Sequence, residues 1–348
     1  MKGSHQNITG IDPKLLDHYQ GRWDNLTKPV ASLGRLEQLA CRYAAIRHPD
    51  LSGIESKYLF TFAADHGVAL AGVSLYPREV TAQMVQNFLS GGAAINVLCK
   101  KYGIRNVIVD VGVDHEFDPT DGLVPRKVRG GTRNFVQEEA MTAEEAEQCV
   151  EVGFQLAREY SDQGAGLVGV GEMGIGNTTS ASAIFSAATQ LEVQLVTGHG
   201  TGVDAAGREH KIRVISDALH LHQPDSRDPW DILKKVGGYE IGAIMGMVLG
   251  CATQKVPVVV DGFISTAGAL LACLECQPVK EYLFFSHSSR EQGHSAVLDW
   301  LGVRPLLHLD LCLGEGTGAA IAMDLIDVSV KLMTEMATFD QARVSRHE

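Results

Sequence analysis

The chain of 348 residues has no uninterrupted apolar run of about 18 residues, so no membrane-spanning helix is expected. Positive charge is scarce: Lys and Arg total 30 against 42 Asp and Glu, a formal charge of −12. No basic stripe compensates, which argues against a nucleic-acid partner. An anionic small substrate stays open, since it needs only a local Lys or Arg and helix N-termini. The seven cysteines are an odd number and several lie inside apolar runs. Cys273-Leu-Glu-Cys276 is a CxxC without a second pair, so the cysteines read as reduced thiols rather than a zinc site or a disulfide framework. There is no HxxxH, HExxH or GxSxG pattern to support a metal site or a nucleophilic triad. Met1 to His5 lead into no apolar segment of a secretory signal, and a cytoplasmic location is the expectation.

What is present is an ordinary globular balance, 45% hydrophobic and 21% charged. The length suits one large α/β domain and a smaller one. Residues 12–48 carry apolar positions at helical spacing: Leu15, Leu16 and Tyr19, then Leu33, Leu36, Leu39, Ala40 and Tyr43. Strand-like runs follow at 57–64, 106–111, 166–170, 191–197, 256–260, 282–285 and 306–313. Helical patterns lie between them at 74–88, 143–160, after 177, around Lys211, at 237–249 and at 318–336. Short apolar strands alternating with helices predict a doubly wound, mainly parallel α/β sheet of Rossmann-like type. Residues 1–50 and 325–348 are expected to form a small helical domain, and 51–324 the large α/β domain. Ligands of such sheets bind beyond the carboxyl ends of the strands. Asp65-His66, Glu172, Asp261, Ser289 and Glu315 are all expected at that edge.

Glu315 stands between Gly314 and Gly316, after an apolar run and before a helix start. Glycine admits close backbone approach and open N–H groups, but a carboxylate repels phosphate. The segment therefore suits a site that holds a phosphate nearby and also removes a proton. Glu172 sits in similar glycine-rich surroundings, and two carboxylates in one pocket can divide acid–base and electrostatic work. Three glycine-rich strand exits, 171–176, 198–202 and 314–318, fit a phosphorylated ligand, with Lys211 and Arg290 as added charge. Gly169-Val-Gly171-Glu-Met-Gly174 also spells the dinucleotide fingerprint GxGxxG, so an NAD-type oxidoreductase is an alternative. That fingerprint wants an acid at the end of the next strand, whereas Glu192 lies at its beginning. His66, His199, His287 and His294 read as polar loop or capping residues.

Several segments together resemble the nicotinate-nucleotide–dimethylbenzimidazole phosphoribosyltransferase family. They are Lys28-Pro-Val-Ala-Ser-Leu-Gly34-Arg-Leu-Glu37, Ala64-Asp-His-Gly-Val68, Gly169 to Thr179, Lys235-Val-Gly-Gly238, Asp261-Gly-Phe-Ile-Ser265 and Leu313-Gly-Glu-Gly-Thr-Gly-Ala-Ala320. The resemblance implies a homodimer that moves 5-phosphoribosyl from nicotinate mononucleotide to a lower-ligand base in cobamide biosynthesis, without a metal or cofactor. It implies Glu315 as general base and Glu172 as a second catalytic carboxylate. Gly174, Gly176, Gly200, Thr201, Gly202, Lys211 and Ser289 would hold the nucleotide and its phosphate. Tyr76, Met84 and Leu313 would wall the base pocket. Tyr76 and Met84 stand where the family's best-known version has small and polar groups, which raises altered base specificity, toward adenine or phenolics, as an alternative. His199 lies in the phosphate loop where a basic residue is often found. A non-catalytic nucleotide-binding scaffold is the third reading, and the intact Glu315 and Lys211 speak against it.

Overall fold

The computed structural model describes residues 7–51, 53–200 and 202–345. Helices α1 (Pro13–Asp24) and α2 (Arg35–Arg47) precede strand β1 (Lys57–Ala64). Next come α3 (Glu79–Leu89), α4 (Ala94–Tyr102), β2 (Ile104–Gly112), β3 (Leu123–Pro125), α5 (Ala143–Asp162) and β4 (Leu167–Met173). Four helices then run in succession: α6 (Asn177–Thr189), α7 (Val193–Val196), α8 (Ala205–His222) and α9 (Pro229–Val236). The rest is α10 (Tyr239–Thr253), β5 (Val258–Val260), α11 (Phe263–Glu275), β6 (Leu283–Phe285), α12 (His294–Leu301), α13 (Thr317–Glu335) and α14 (Phe339–Ala342).

The six strands form one parallel sheet in the order β3-β2-β1-β4-β5-β6. Every residue of β1 is buried, as expected for a strand covered by helices on both faces. The strand order reverses between β1 and β4, and the crevice of a doubly wound sheet opens at the carboxyl ends of those two strands. On one face α5 and α10 pack almost backbone to backbone. A Cβ on Gly246 would overlap the Val150 carbonyl, and one on Gly153 the Ala243 carbonyl. Glycine at these positions is what allows the close approach.

The first and last described helical segments meet. α1 and α2 pack together, α2 packs on α13, and Leu26 bridges to Thr338 just before α14. The turn before α2 is anchored by a buried Lys28–Glu37 ion pair at 2.8 Å. α13 runs unbroken through positions 324 and 325, with its first turns against β4 and β5 and its later turns against α2. A buried Lys57–Asp327 pair at 2.8 Å ties it to the start of β1.

The structure departs from the sequence pattern at several points, among them helices α4, α9, α11 and α12, for which the pattern gives no helix. Residues 191–197 hold the one-turn helix α7 instead of a strand. Residues 306–313 form no strand; only Leu307 bridges to His287, and Leu309 and Leu313 project outward, so the apolar run is not a buried one. The region after β2 contains the edge strand β3 within what reads as loop. β4 continues to Met173, so Glu172 is a strand residue, opposite Phe62 of β1.

Candidate active site

A cavity of about 390 Å³ opens at the carboxyl edge of the sheet. Its lining draws on α3, the β4 exit, the start of α6, Gly200, and the exits of β5 and β6. The 312–315 segment, which holds Glu315, completes it. A larger hollow of about 510 Å³ lies beyond α3 and shares Tyr76 with the first, but neither Glu172 nor Glu315 reaches it.

Glu315 is held by unusual backbone. Gly314, Glu315 and Gly316 have φ of 83°, 62° and 88°, three consecutive left-handed residues of which only Glu315 carries a side chain. The Thr61 hydroxyl of β1 donates to the Glu315 carbonyl at 3.3 Å. Asp261, just beyond β5, accepts the Gly316 N–H at 3.1 Å and the Ala319 N–H at 2.9 Å. The Glu315 residue is 5% exposed, and burial, aided by the nearby Asp261 carboxylate, raises its pKa to about 7. A carboxyl poised near neutrality can accept a proton at physiological pH.

Glu172 lies under Gly314, buried at the cavity wall, and Asn177 Nδ2 donates to its Oε2. Burial, followed by the charges of Asp261, Glu240 and Glu315, pushes its pKa up to about 8. Asp261 is itself lifted to about 7 by burial, with the α13 amides pulling the other way. Three carboxyl groups thus share one buried region, and not all of them are charged at neutral pH.

The opposite end of the cavity is suited to an anion. β4 runs through Gly174 into α6, whose N-cap is Gly176 at φ 97°. The positive end of the helix dipole points there. Lys211 of α8 is 1% exposed and donates to Thr178 Oγ1 at 2.6 Å, beside Gly200. Burial pulls its ammonium down to about 8, against the pull of Glu291. Between the two ends the wall is apolar, with Tyr76, Val80, Met84, Ile175 and Leu313. The cavity therefore combines a proton acceptor, an apolar slot and a cationic helix N-terminus.

Comparison with known proteins agrees with this architecture over the full chain. Residues 8–344 match a family model described as phosphoribosyltransferase. A nicotinate-nucleotide–dimethylbenzimidazole phosphoribosyltransferase from Geobacter sulfurreducens is 54% identical over 97% of this chain and 96% of its own. The enzyme of the same name from Pelodictyon phaeoclathratiforme is 50% identical, over 95% and 94%. The crystal structure of CobT from Thermus thermophilus superposes with a TM-score of 0.92 at 44% identity, covering 96% of this chain and all of that one. The chain belongs to the nicotinate-nucleotide–dimethylbenzimidazole phosphoribosyltransferase family.

Glu172, Gly174, Gly200, Ser289, Tyr76, Met84, Leu313 and Glu315 all line this family member's cavity. Lys211 reaches its edge through Thr178. Gly176 stands one layer back as the α6 cap, and Gly202, with φ 107°, lies outside the lining. Thr201 falls outside the described residues. Arg290 is not among the lining residues; its guanidinium donates to Cys312 Sγ at 3.2 Å, at the 312–315 segment rather than at the anion end. The exit at 198–202 follows helix α7, and 314–318 follows irregular chain; only 171–176 leaves a strand.

The dinucleotide fingerprint is not a strand-to-helix turn. Gly169 and Gly171 lie inside β4, where a Cβ would strike Met323 of α13 and the Gly316 backbone respectively. They are glycines so that the start of α13 can lie on the sheet, and the oxidoreductase reading falls with them.

Three of the four histidines are buried rather than polar loop residues. His66 Nε2 meets Glu240 Oε1 at 2.6 Å, both side chains fully buried. His294 Nδ1 accepts the Ser289 N–H at 2.9 Å, so its Nε2–H donates to Thr266 Oγ1 at 3.0 Å. His287 lines the cavity 3.9 Å from Asp261 Oδ1, and burial lowers its pKa to about 4. His199 is the exposed one, and its Nδ1 bonds the Val203 carbonyl at 2.7 Å. Sequence reasoning did not assign Asn177, Thr178 or Asp261 a role. The signal for each was its place inside a matching motif, next to residues that were singled out.

Proposed function

We propose that this chain transfers the 5-phosphoribosyl group of nicotinate mononucleotide to a ring nitrogen of a benzimidazole-type base, giving the α-riboside phosphate and nicotinate for the nucleotide loop of a cobamide. The observation that carries this reading is the position of Glu315: a buried carboxylate poised near neutrality, at one end of a cavity whose wall is apolar and whose other end is a cationic helix N-terminus. The phosphate would sit on the α6 N-terminus with Gly174, Gly176, Gly200 and Gly202 around it and Lys211 as counter-charge. Ser289 would contact the nucleotide. The base would lie among Tyr76, Met84 and Leu313.

The chemistry follows from that arrangement. The bond from C1′ to the nicotinate nitrogen breaks, and nicotinate departs with the electron pair. C1′ gains oxocarbenium character, which the buried carboxylates favour electrostatically. The azole nitrogen attacks from the opposite face, which inverts β to α, and its N–H proton passes to Glu315. A positioned general base contributes about 10²–10⁴-fold. Glu172, held largely protonated near neutrality, would act as a hydrogen-bond donor toward the nicotinate end. No step in this scheme calls on a metal or cofactor. The enzyme would work in the cytoplasm as a homodimer.

The direct test is nicotinate release from nicotinate mononucleotide plus dimethylbenzimidazole, followed by chromatography. Release that needs the base and no added cofactor is expected, and Glu315→Gln should lower turnover by about two orders of magnitude or more. Near-wild-type turnover of that variant would refute the role of Glu315. In competition among dimethylbenzimidazole, adenine and phenol, the benzimidazole is expected to be consumed first.

A further inference from the structure

Among the carboxylates of the cavity region, Asp261 faces neither open end. It is 1% exposed and sits behind Glu315, at the exit of β5. Its Oδ2 accepts from Gly316 and its Oδ1 from Ala319, the first free amides of α13. A negative charge at a helix N-terminus is favourable, and those amides orient it. The first of these amides belongs to Gly316, the last of the three left-handed residues 314–316, a conformation that costs free energy for the one non-glycine among them. We propose that Asp261 is a positioning residue that holds Glu315 in its left-handed turn and, through its charge, sets how strongly Glu315 attracts a proton. This rests on Glu315 being the general base.

Four further groups bear on the charge balance around Glu315. Glu172 approaches from β4, raised to about 8 and so largely protonated near neutrality. His287 approaches from the β6 exit, lowered to about 4 and so neutral there. Thr61 of β1 contributes an uncharged hydroxyl. Lys211 lies at the anion end, bonded to Thr178. That leaves Asp261, from the β5 exit and itself lifted to about 7, as the neighbour whose charge, in its ionised form, raises Glu315. Its oxygens are committed to α13, so its own chain position cannot relax away without freeing the turn. His287 adds a second constraint: a Cβ on Gly262 would contact the imidazole, so the β5 and β6 exits are packed against each other behind Glu315.

Asp261→Asn keeps an acceptor oxygen for Ala319 and removes the charge. Asp261→Ser offers a smaller neutral acceptor and serves as the second variant if the first folds poorly, with thermal melting as the check on folding. For each, kcat/KM for nicotinate release is measured across the neutral pH range. Removing a like charge makes Glu315 a weaker proton acceptor, so the acid limb should move to lower pH by about one unit. Turnover at the plateau should fall by about tenfold or more, because the base is less well held. A residue that only stabilised the fold would lower melting temperature and rate but leave the acid limb in place, and an unmoved acid limb would overturn the proposal. Glu315→Gln run alongside separates the two levels. If it stays active, the general-base reading itself fails. If it is inactive while the Asp261 variants keep the wild-type acid limb, only the role of Asp261 is lost.

Discussion

Gly314 lies so close over Glu172 that a Cβ at position 314 would come within 2.5 Å of Glu172 Oε1. The glycine also occupies the left-handed region, at φ 83°. Gly314→Ala would therefore strain the turn and push the Glu172 carboxyl aside. We expect turnover to fall by about tenfold to a hundredfold, since displacements of about 1 Å have effects of that order. Steady-state nicotinate release measures it; wild-type kinetics would mean that the turn has room the structure does not show.

The pH dependence of the reaction follows from the two cavity glutamates. Glu315, raised to about 7, must be ionised to accept the proton, so kcat/KM should rise through neutral pH. Glu172, raised to about 8, donates only while protonated, so activity should decline on the alkaline side. A narrow bell is the expected profile. Because Asp261, also near 7, shares the region, the two limbs belong to the carboxyl group set as a whole. A rate that stays flat from weakly acidic to alkaline pH would contradict both assignments.

Glu172 also has a cost to stability with a definite sign. Its folded-state pKa of about 8 lies above the ordinary carboxylate value of 4.5. Between those values the unfolded chain releases the proton and the folded chain retains it, so stability from this group falls as pH rises through that window. Glu172→Gln does not titrate and should melt above wild type near pH 8, with the gap closing toward about pH 5. Activity should drop in the same variant. Thermal melts across pH decide the point; a gap that is constant with pH would show that Glu172 is not held protonated.

Lys211 is buried with the Thr178 hydroxyl as its hydrogen-bond acceptor, a state that a bound anion would improve. Lys211→Met should raise KM for nicotinate mononucleotide more than it lowers kcat, and weaken competition by inorganic phosphate. An unchanged KM would remove Lys211 from the phosphate site. The folded-state ammonium is lowered to about 8, so the wild type should also lose phosphate affinity above that pH.

The sequence by itself determined the α/β class and five of the six strands, β3 being the one it did not show. β1 is legible from 57 to 64 to the residue, because a strand buried on both faces is a continuous apolar run bounded by polar residues. The helices expected at 143–160 and 318–336 are legible from their helical pattern and appear as Ala143–Asp162 and Thr317–Glu335. Glu315 was legible as well, since a lone carboxylate between glycines is a local pattern. Residues 191–197 were not legible as α7: a short apolar run does not distinguish a one-turn helix from a strand. The role of Gly169 and Gly171 was hidden for a related reason, since their spacing imitates a phosphate turn while their actual partners, Met323 and Gly316, lie about 150 residues away in sequence. Only the tertiary structure decided that Glu172, Asp261 and Glu315 share one buried region and that His66, His287 and His294 are enclosed. Proton affinity depends on desolvation and on neighbours brought in by separate strands, and these are properties of the packed chain rather than of any segment.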